Sequence, residues 1–264
     1  MNKIIAIFYV QLFIFFLATR VFAQHKKDTH IYILMGQSNM AGRGEVTGQD
    51  AKQQHPRVLM LNQAGDWVIA RHPIHFDKPK VAGVGPGLAF GMGMAEANPD
   101  VLIGLVPCAV GGTSIAKWMP GAYDKATDTH PYDDAERRIR KAMEVGTVKG
   151  IIWHQGEGDS HEKSAQLYLD NLRNLIHMVR KLVGNPKLPF VVGQLARYRS
   201  NYQLVNNELD KLEDVEPNTA VVSSEGLWHK GDGTHFDSPS ASELGRRFAQ
   251  GMLKLQHNGT EQKY

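Results

Sequence analysis

Ser38 and His235 are the two side chains of this sequence whose types and surroundings best fit nucleophilic catalysis. Ser38 lies in the segment MGQSNMAG (35–42), which directly follows a short apolar run. His235 lies far along the chain, in the segment GDGTHF (231–236). A histidine beside a serine can accept its proton during attack on a carbonyl carbon and return it to the leaving group. The two segments therefore indicate acyl transfer, provided that the fold brings them together.

Asp232, which precedes His235 in the same segment, could complete this arrangement. Its carboxylate would hold the histidine ring in the productive tautomer, and Gly233 would allow the tight turn between them. Simpler explanations exist: Ser38 could only cap a helix, and Asp232 and Gly233 could only form a surface turn. Because Met40 occupies the second glycine position of G-x-S-x-G, the serine segment is not a nucleophile elbow.

A polar segment, HQGEGDSH (154–161), follows another apolar run. Polar groups at the end of a buried strand are costly to leave unpaired, so they should line a site. The Gln155 amide could donate to an oxyanion, and Glu157 could replace Asp232 as the acidic partner of the histidine. A metal cluster of the histidines and acids is less favoured, since H-E-x-x-H spacing is absent and one short loop rarely completes a tetrahedral site. We expect neither a metal nor another cofactor.

Glycines in the segment VPCAVGGTS (106–114) could let the backbone approach a ligand closely. The N–H of Gly112 could then donate to an oxyanion beside the N–H of Ser38, although a plain glycine turn is the alternative. No G-x-x-x-x-G-K-[ST] pattern occurs, and no G-x-G-x-x-G follows a strand, so nucleotide binding is not expected. Cys108, the single cysteine, fits a small buried hydrophobic residue and excludes an internal disulfide.

The elements that must position these residues alternate in type along the chain. Short runs of Val, Ile and Leu predict strands at residues 31–35, 58–61, 101–106, 150–153, 189–193 and 220–223. Longer stretches between them predict helices at residues 87–98, 133–145, 162–183, 201–212 and 240–255. This repetition predicts a central parallel sheet with helices on both faces, in which ligands bind outside the carboxyl ends of the strands. Ser38, Gly112 and Gln155 each follow a predicted strand, so we expect them at one edge of the sheet.

The composition is typical of a soluble globular protein. The chain has 264 residues, of which 42% are hydrophobic and 22% charged, with a formal net charge of +3, and this balance argues against disordered, collagen-like and multi-span membrane proteins. There is no block of like charges and no basic stripe, so nucleic acid is not an expected partner. Without an internal repeat or a linker, residues 24–264 are expected to form a single domain.

The first 23 residues have the pattern of a secretory signal peptide. Lys3 gives a positive start, residues 4–18 are almost entirely apolar, and VFA (21–23) offers a cleavage site. An uncleaved membrane anchor is the alternative, but the apolar run is about 15 residues long and a span needs about 20. We therefore expect a secreted or periplasmic protein that is not stably associated with a membrane once the signal is removed.

Four segments together resemble the SGNH-hydrolase superfamily: GQSNMAG (36–42), GGT (111–113), HQGE (154–157) and DGTH (232–235). More narrowly, they are similar to the sialate O-acetylesterase and acetylxylan esterase group, carbohydrate esterase family 6. The similarity extends over nearly the whole mature chain. It implies a flavodoxin-like, three-layer α/β/α fold and metal-independent hydrolysis of acetyl esters on sugars, with Ser38 as nucleophile and His235 as base.

The chain departs from the wider superfamily at two positions. Gly-Gln-Ser replaces the usual Gly-Asp-Ser, and Gln155 replaces the asparagine that normally donates to the oxyanion. Members of the narrower group use either the Asp of Asp-x-x-His or the Glu of His-Gln-Gly-Glu. The resemblance therefore leaves two candidate acids, Asp232 and Glu157, of which we favour Asp232.

These motifs do not identify the acetylated sugar that is the expected partner, and the oligomeric state is open. We expect four side chains to contact the substrate: Gln37, Asn39, Trp118 and His154. Trp118, Trp153 and Trp228 could each offer an apolar face to a sugar ring, with ordinary packing as the alternative. The competing functions are a broad small-acyl esterase, an acyltransferase, and a noncatalytic carbohydrate-binding protein that kept the fold.

Overall fold

A computed structural model describes residues 28–261, with the backbone alone for residues 258–261. The predicted signal peptide, residues 1–23, lies outside the described residues. None of the helices within residues 28–261 combines the length and the apolar character that a membrane span requires.

A seven-stranded sheet forms the centre of the described chain. Its strands are β1 (Thr29–Gly36), β2 (Val58–Leu61), β3 (Trp67–Ile69), β4 (Leu102–Pro107), β5 (Thr147–His154), β6 (Phe190–Gly193) and β7 (Thr219–Val222). Their order across the sheet is β3-β2-β4-β1-β5-β6-β7. Every neighbouring pair is parallel except β2 and β3, which are antiparallel. This mostly parallel sheet confirms the predicted α/β fold.

Helices follow most of the strands. The α-helices of the described residues are α1 (Ser38–Ala41), α2 (Pro86–Ala97), α3 (Pro131–Val145), α4 (Glu162–Ala165), α5 (Tyr168–Val183), α6 (Tyr202–Leu209), α7 (Leu212–Val215) and α8 (Ser238–Glu261). Short 3-10 helices lie at Asp50–Lys52, Ile115–Lys117 and Glu157–Asp159.

The helices cover both faces of the sheet. Tyr32 of β1 packs edge-on against Phe90 of α2, with ring centroids 5.2 Å apart, and its hydroxyl accepts a hydrogen bond from Gln256 of α8. Ile31 points to the opposite face, because successive side chains alternate along a strand, and it lies against Gly146 at the end of α3. Helices α2 and α8 therefore pack on one face and α3 on the other, which produces three layers.

The differences from the predicted elements are local. The sequence does not predict β3, because three half-buried residues make too short a run, and its place in the sheet depends on pairing with β2. The helix predicted at residues 162–183 is divided into α4 and α5. After this break Tyr168 is buried and donates its hydroxyl to the Gln155 carbonyl, so the second helix begins at a contact with the polar segment that follows β5.

Strand β1 lies in the middle of the sheet, between β4 and β5. Its last residue, Gly36, is opposite His154 of β5. A Cβ atom at Gly36 would lie 2.0 Å from the His154 carbonyl oxygen, and the φ angle of +134° also favours glycine. Since the strands are parallel, the segments that follow β1, β4 and β5 meet at one edge, as predicted for Ser38, Gly112 and Gln155.

Candidate active site

Ser38 and His235 meet at the carboxyl edge of the sheet. Ser38 begins α1 directly after β1 and is only 6% exposed. His235 lies in the loop before α8, and its Nε2 is 3.0 Å from Ser38 Oγ. This is hydrogen-bonding distance, as a base that accepts the serine proton requires. The fold therefore brings together the two residues that the sequence singles out.

Asp232 contacts the other side of the His235 ring. Its Oδ2 lies 2.7 Å from His235 Nδ1, and its Oδ1 accepts the backbone N–H groups of Thr234 and His235, each at 2.8 Å. Partial burial is the largest single influence on the pKa of Asp232 and raises it, but the hydrogen bonds from His235 and Thr234 outweigh it and lower the pKa to about 2. Asp232 is therefore ionised at neutral pH. It favours the tautomer with the proton on Nδ1, which leaves Nε2 able to accept a proton from Ser38.

Glu157, the alternative acid, has different partners. Its Oε1 accepts a hydrogen bond from Asn39 Nδ2 at 2.5 Å and lies 3.7 Å from His154 Nδ1. The carboxylate that contacts the His235 ring belongs to Asp232. The geometry favours Asp232 as the acid and gives Glu157 a different place in the site.

Gln155 does not occupy the place of an oxyanion donor, so this prediction is wrong for the arrangement observed. The residue is completely buried, and its Nε2 lies 2.6 Å from Asp159 Oδ2 and 3.1 Å from both Gln37 Oε1 and the Thr113 carbonyl oxygen. Both amide hydrogens are therefore engaged by protein acceptors. Because a buried amide must satisfy its donors, Gln155 joins the segments that follow β1, β4 and β5 instead of facing a ligand.

The backbone N–H groups of Ser38 and Gly112 are the remaining candidate oxyanion donors. Ser38 is the first residue of α1, where N–H groups have no acceptor within the helix. Gly112 has a φ of +88°, and among the hydrogen bonds of the described residues none uses its N–H. Both residues line the same cleft.

The tryptophans differ sharply in exposure. Trp118 and Trp153 are completely buried and pack edge-on with ring centroids 5.2 Å apart, and the Trp118 indole N–H donates to Thr113 Oγ1. The prediction that Trp118 contacts the substrate is therefore wrong, because its ring is buried in the core. Trp228 is 67% exposed and is available to a ligand.

His154 and Asn39 are also interior residues. His154 is completely buried, with Nε2 3.2 Å from the Gln194 carbonyl oxygen, and burial lowers its pKa, which favours the neutral ring. Asn39 is 3% exposed, and its amide is engaged within the protein. Neither side chain can touch a bound sugar in this arrangement, so both predicted substrate contacts are corrected. Gln37 does line the cleft, although its Oε1 also accepts the Gln155 amide.

An open cleft of about 520 Å³ surrounds Ser38, a volume that suits a small ligand such as a sugar. Its walls include four side chains that no sequence motif marks: Lys78, Arg199, Tyr202 and Lys230. In the part of the chain described, Lys78 and Lys230 form no ion pair. Sequence reasoning misses these residues because they come from separate loops with no common spacing.

A buried ion pair supports the segment that carries Gly112. Arg43 Nη2 lies 2.6 Å from Asp77 Oδ2, and the two side chains are almost fully buried. The same Asp77 oxygen accepts the N–H of Gly111 at 2.8 Å. Burial is the largest single influence on the pKa of Asp77 and raises it, but Arg43 and the Gly111 N–H together hold the pKa below its usual value. The sequence offers one clue to this pair, since Arg43 directly follows the GQSNMAG segment.

The polar segment after β5 does not form a metal centre. Among the side chains described, those of residues 28–257, no three His, Cys, Asp or Glu are grouped as a metal site would need. His154 Nε2 lies against the Gln194 carbonyl oxygen, and Asp159 Oδ2 accepts the Gln155 amide, so each has a partner within the protein.

The chain is similar to known proteins over most of its length. Residues 28–254 match the family described as carbohydrate esterase, sialic acid-specific acetylesterase. A probable carbohydrate esterase of Arabidopsis thaliana is 31% identical over 247 residues, which cover 84% of this chain and 90% of that protein.

Solved structures share the fold. An X-ray structure of a protein from Arabidopsis thaliana is 30% identical, with a TM-score of 0.76 over 85% of this chain and 98% of that chain. NanS is 18% identical, with a TM-score of 0.68 over 88% of this chain and 99% of that chain. A carbohydrate acetylesterase from Xanthomonas citri is 20% identical, with a TM-score of 0.66 over 88% of this chain and 57% of that chain. At these identities, the last two show the fold alone.

Proposed function

The chain belongs to the sialic acid-specific acetylesterase family of carbohydrate esterases, and we propose that it hydrolyses O-acetyl esters on sugars through an acetyl-enzyme at Ser38. The observation that carries the proposal is the pair of contacts from Asp232 to His235, at 2.7 Å, and from His235 to Ser38 Oγ, at 3.0 Å. A nucleophile, its base and an acid that orients the base stand in this relation in serine hydrolases. Acetylesterase activity follows from the family, and the serine mechanism is our proposal for how this chain performs it.

In the first half-reaction, Ser38 Oγ attacks the acetyl carbonyl carbon while its proton moves to His235 Nε2. The N–H groups of Ser38 and Gly112 stabilise the negative charge that develops on the carbonyl oxygen. The bond between the carbonyl carbon and the sugar oxygen then breaks, and His235 returns the proton to that oxygen. The sugar leaves with a free hydroxyl, and the acetyl group remains on Ser38.

In the second half-reaction, water attacks the acetyl-enzyme. His235 takes a proton from the water and gives it to Ser38 Oγ as the acyl–oxygen bond breaks, which releases acetic acid as acetate and a proton. Asp232 stays ionised throughout and stabilises the imidazolium form of His235. The cycle consumes one ester and one water.

We propose further that the sugar is acidic, as in an O-acetylated sialic acid. Four cationic side chains line the cleft: Arg43, Lys78, Arg199 and Lys230. Of these, Arg43 is paired with the buried Asp77. The acids that line it, Asp232 and Glu157, are hydrogen-bonded to His235 and Asn39. The lysines are therefore the charges left for a ligand, and a sugar carboxylate would be attracted to them, whereas neutral acetylated xylan would not.

Acetate release from three substrates tests the choice of sugar. We expect O-acetylated sialic acid to have a higher kcat/KM than acetylated xylan and 4-nitrophenyl acetate, with a preference that weakens as salt screens the charges. A higher kcat/KM on acetylated xylan would overturn the acidic-sugar proposal and leave the serine mechanism in place. Activity confined to the small ester would favour a broad small-acyl esterase.

A fluorophosphonate probe tests the mechanism. We expect covalent labelling at Ser38, located by peptide mass spectrometry, and we expect Ser38→Ala to abolish both the label and nearly all acetate release. Sugar binding by the intact chain with neither labelling nor acetate release would favour a noncatalytic carbohydrate-binding protein. Transfer of the acetyl group to an added sugar in preference to water would identify an acyltransferase.

We also propose that residues 1–23 are removed during export and that the remaining chain acts as a single secreted or periplasmic domain. The support is the sequence pattern of the leader. Terminal sequencing of protein recovered outside the cytoplasm is expected to begin near Gln24. Recovery of a full-length chain in the membrane fraction would contradict the proposal.

A further inference from the structure

Asn39 directly follows the proposed nucleophile and carries a buried amide that takes no part in the reaction itself. We propose that Asn39 is a positioning residue, which holds His235 within hydrogen-bonding distance of Ser38. This inference rests on the proposed serine mechanism and deepens it. Asn39, which the sequence predicts to contact the substrate, is thereby given a positioning role instead.

The Asn39 amide contacts the backbone on both sides of His235. Its Oδ1 accepts the N–H of Phe236 at 3.0 Å, and its Nδ2 donates to the Thr234 carbonyl oxygen at 3.1 Å. The residues immediately before and after the base are thus bound to the residue immediately after the nucleophile. One rigid side chain therefore sets the distance between two segments that are 197 positions apart.

Glu157 determines which way this amide faces. Its Oε1 accepts a second hydrogen bond from Asn39 Nδ2, at 2.5 Å. The Thr234 carbonyl and the Glu157 carboxylate both need a donor, whereas the Phe236 N–H needs an acceptor. A rotated amide would oppose like groups at all three contacts, so only the observed orientation satisfies them. Glu157 thereby acts on the site without touching His235.

The loop that carries His235 needs such a contact. It contains Gly231 and Gly233 at φ angles of +109° and +64°, and the His235 side chain is 25% exposed. Tyr198 also donates to the Thr234 carbonyl, at 2.9 Å, and Arg199 donates to the Gly233 carbonyl, but both come from the segment after β6. These contacts hold the loop to that segment, whereas the Asn39 hydrogen bonds hold the loop to the segment that carries Ser38.

A double-mutant cycle on 4-nitrophenyl acetate tests the proposal, because this small ester makes no sugar contacts. Asn39→Ala is expected to lower kcat by about 10²-fold and to change KM by less than about twofold, since a misplacement of about 1 Å costs that much. His235→Ala removes the base, and the oxyanion donors leave a residual activity of about 10³–10⁴-fold over water. In that background, Asn39→Ala is expected to cause less than about a twofold further loss, because no base remains to be positioned.

The outcomes separate this inference from the mechanism on which it rests. If His235→Ala keeps wild-type activity, the serine mechanism itself fails. A second outcome is that His235→Ala loses activity as expected, but Asn39→Ala lowers kcat by the same factor in the wild-type and the His235→Ala backgrounds. This outcome overturns only the positioning role of Asn39. Asn98→Ala is the control, since the Asn98 amide also donates to a backbone carbonyl, that of Met94, but at the end of α2 and away from the His235 loop. We expect it to lower stability and to leave kcat within about twofold of wild type.

Asn39→Asp provides a second test that preserves the side-chain shape. It keeps an acceptor for the Phe236 N–H but places a carboxylate oxygen against Glu157 Oε1, so we expect kcat to fall. Adding Glu157→Gln supplies an amide donor to that oxygen and is expected to recover part of the loss. If the added substitution lowers kcat further, the contact between these two residues does not orient the amide and the proposal is wrong.

Discussion

Ser38 and His235, the proposed catalytic pair, are held in place by different kinds of contact. Ser38 follows the central strand of the sheet and is 6% exposed, and Gln155 joins its segment to two neighbouring strand ends from within the core. Asp232 and His235 lie on a loop before α8, with side chains 36% and 25% exposed. The position of the nucleophile depends on sheet packing, whereas the position of the base depends on a few hydrogen bonds near the surface.

This contrast has consequences for substitutions. A change on the Ser38 side should alter stability and activity together, because the same buried contacts serve both. A change on the His235 side should alter activity with little effect on stability, because partly exposed groups contribute little to the free energy of unfolding.

On the His235 side, Asp232→Asn is expected to have the largest effect on the reaction. It should lower turnover by about 10⁴-fold, because the amide favours the wrong histidine tautomer. The free energy of unfolding should change by less than about 1 kcal/mol, since the pair is partly exposed. Steady-state kinetics and chemical denaturation measure the two quantities. Glu157→Gln is the comparison: a 10⁴-fold loss there, with Asp232→Asn active, would make Glu157 the acid.

Asp77→Asn is the corresponding test on the Ser38 side. It leaves the Arg43 guanidinium buried without its counter-charge, and breaking such a pair costs about 3–5 kcal/mol. It also weakens the hold on Gly111, so we expect the adjacent Gly112 donor to be lost and turnover to fall by about 10²–10³-fold. Glu243→Gln is the control, because it breaks an exposed ion pair with Arg246. It should change the free energy of unfolding and the turnover only slightly. A turnover loss with unchanged stability would contradict the coupling proposed for this side.

Gln155→Ala distinguishes a buried contact from an oxyanion donor. The structure predicts destabilisation by about 1–3 kcal/mol, because Asp159 and the Thr113 carbonyl lose their donor. Turnover, measured at a temperature where the variant is folded, should fall less than the roughly 10²–10³-fold expected for loss of an oxyanion donor. A loss in that range with unchanged thermal stability would show that the amide turns toward the substrate during the reaction.

Trp228→Ala should have a smaller effect, seen only with sugar substrates. Trp228 is on the loop that carries His235, where its carbonyl accepts the N–H of Asp237. Loss of an exposed aromatic face should lower kcat/KM on an acetylated sugar a few-fold and leave 4-nitrophenyl acetate unaffected. Stability should stay within about 0.5 kcal/mol, as for other surface substitutions. Equal losses on both esters would instead indicate that Trp228 supports the loop.

The smallest expected effect is the pH dependence of stability at Asp232. Its pKa falls from 3.8 to about 2 on folding, so ionisation favours the folded state above pH 3.8 and this contribution is lost as the pH falls toward 2. The difference in unfolding free energy between wild type and Asp232→Asn should be constant near neutral pH and shrink between about pH 4 and pH 2. Denaturation curves across this range measure it. A difference that already disappears above pH 5 would show that another group is responsible.

The sequence predicts the backbone of the site better than its side-chain directions. Continuous apolar runs mark the strands, and Ser38 reaches the carboxyl edge because it comes just after β1. Gly112 lies farther along its loop, where the contact between Gly111 and Asp77 also supports it. The same reasoning fails for Gln155, His154 and Trp118. Their positions along the chain are right, but their side chains turn into the interior, where Asp159, Gln194 and Thr113 provide partners from other segments.

What the sequence by itself determined is the alternation of strands and helices, the edge of the sheet where chemistry should lie, and the serine and histidine that meet there. These follow from local properties: apolar periodicity, glycine at turns and short motifs. What only the tertiary structure decided is which polar group contacts which. Asp232 and not Glu157 lies against the histidine, Asn39 joins the two halves, and cations from separate loops share one cleft. Such pairings depend on distances between segments far apart in the chain, and those distances are set by packing of the whole sheet.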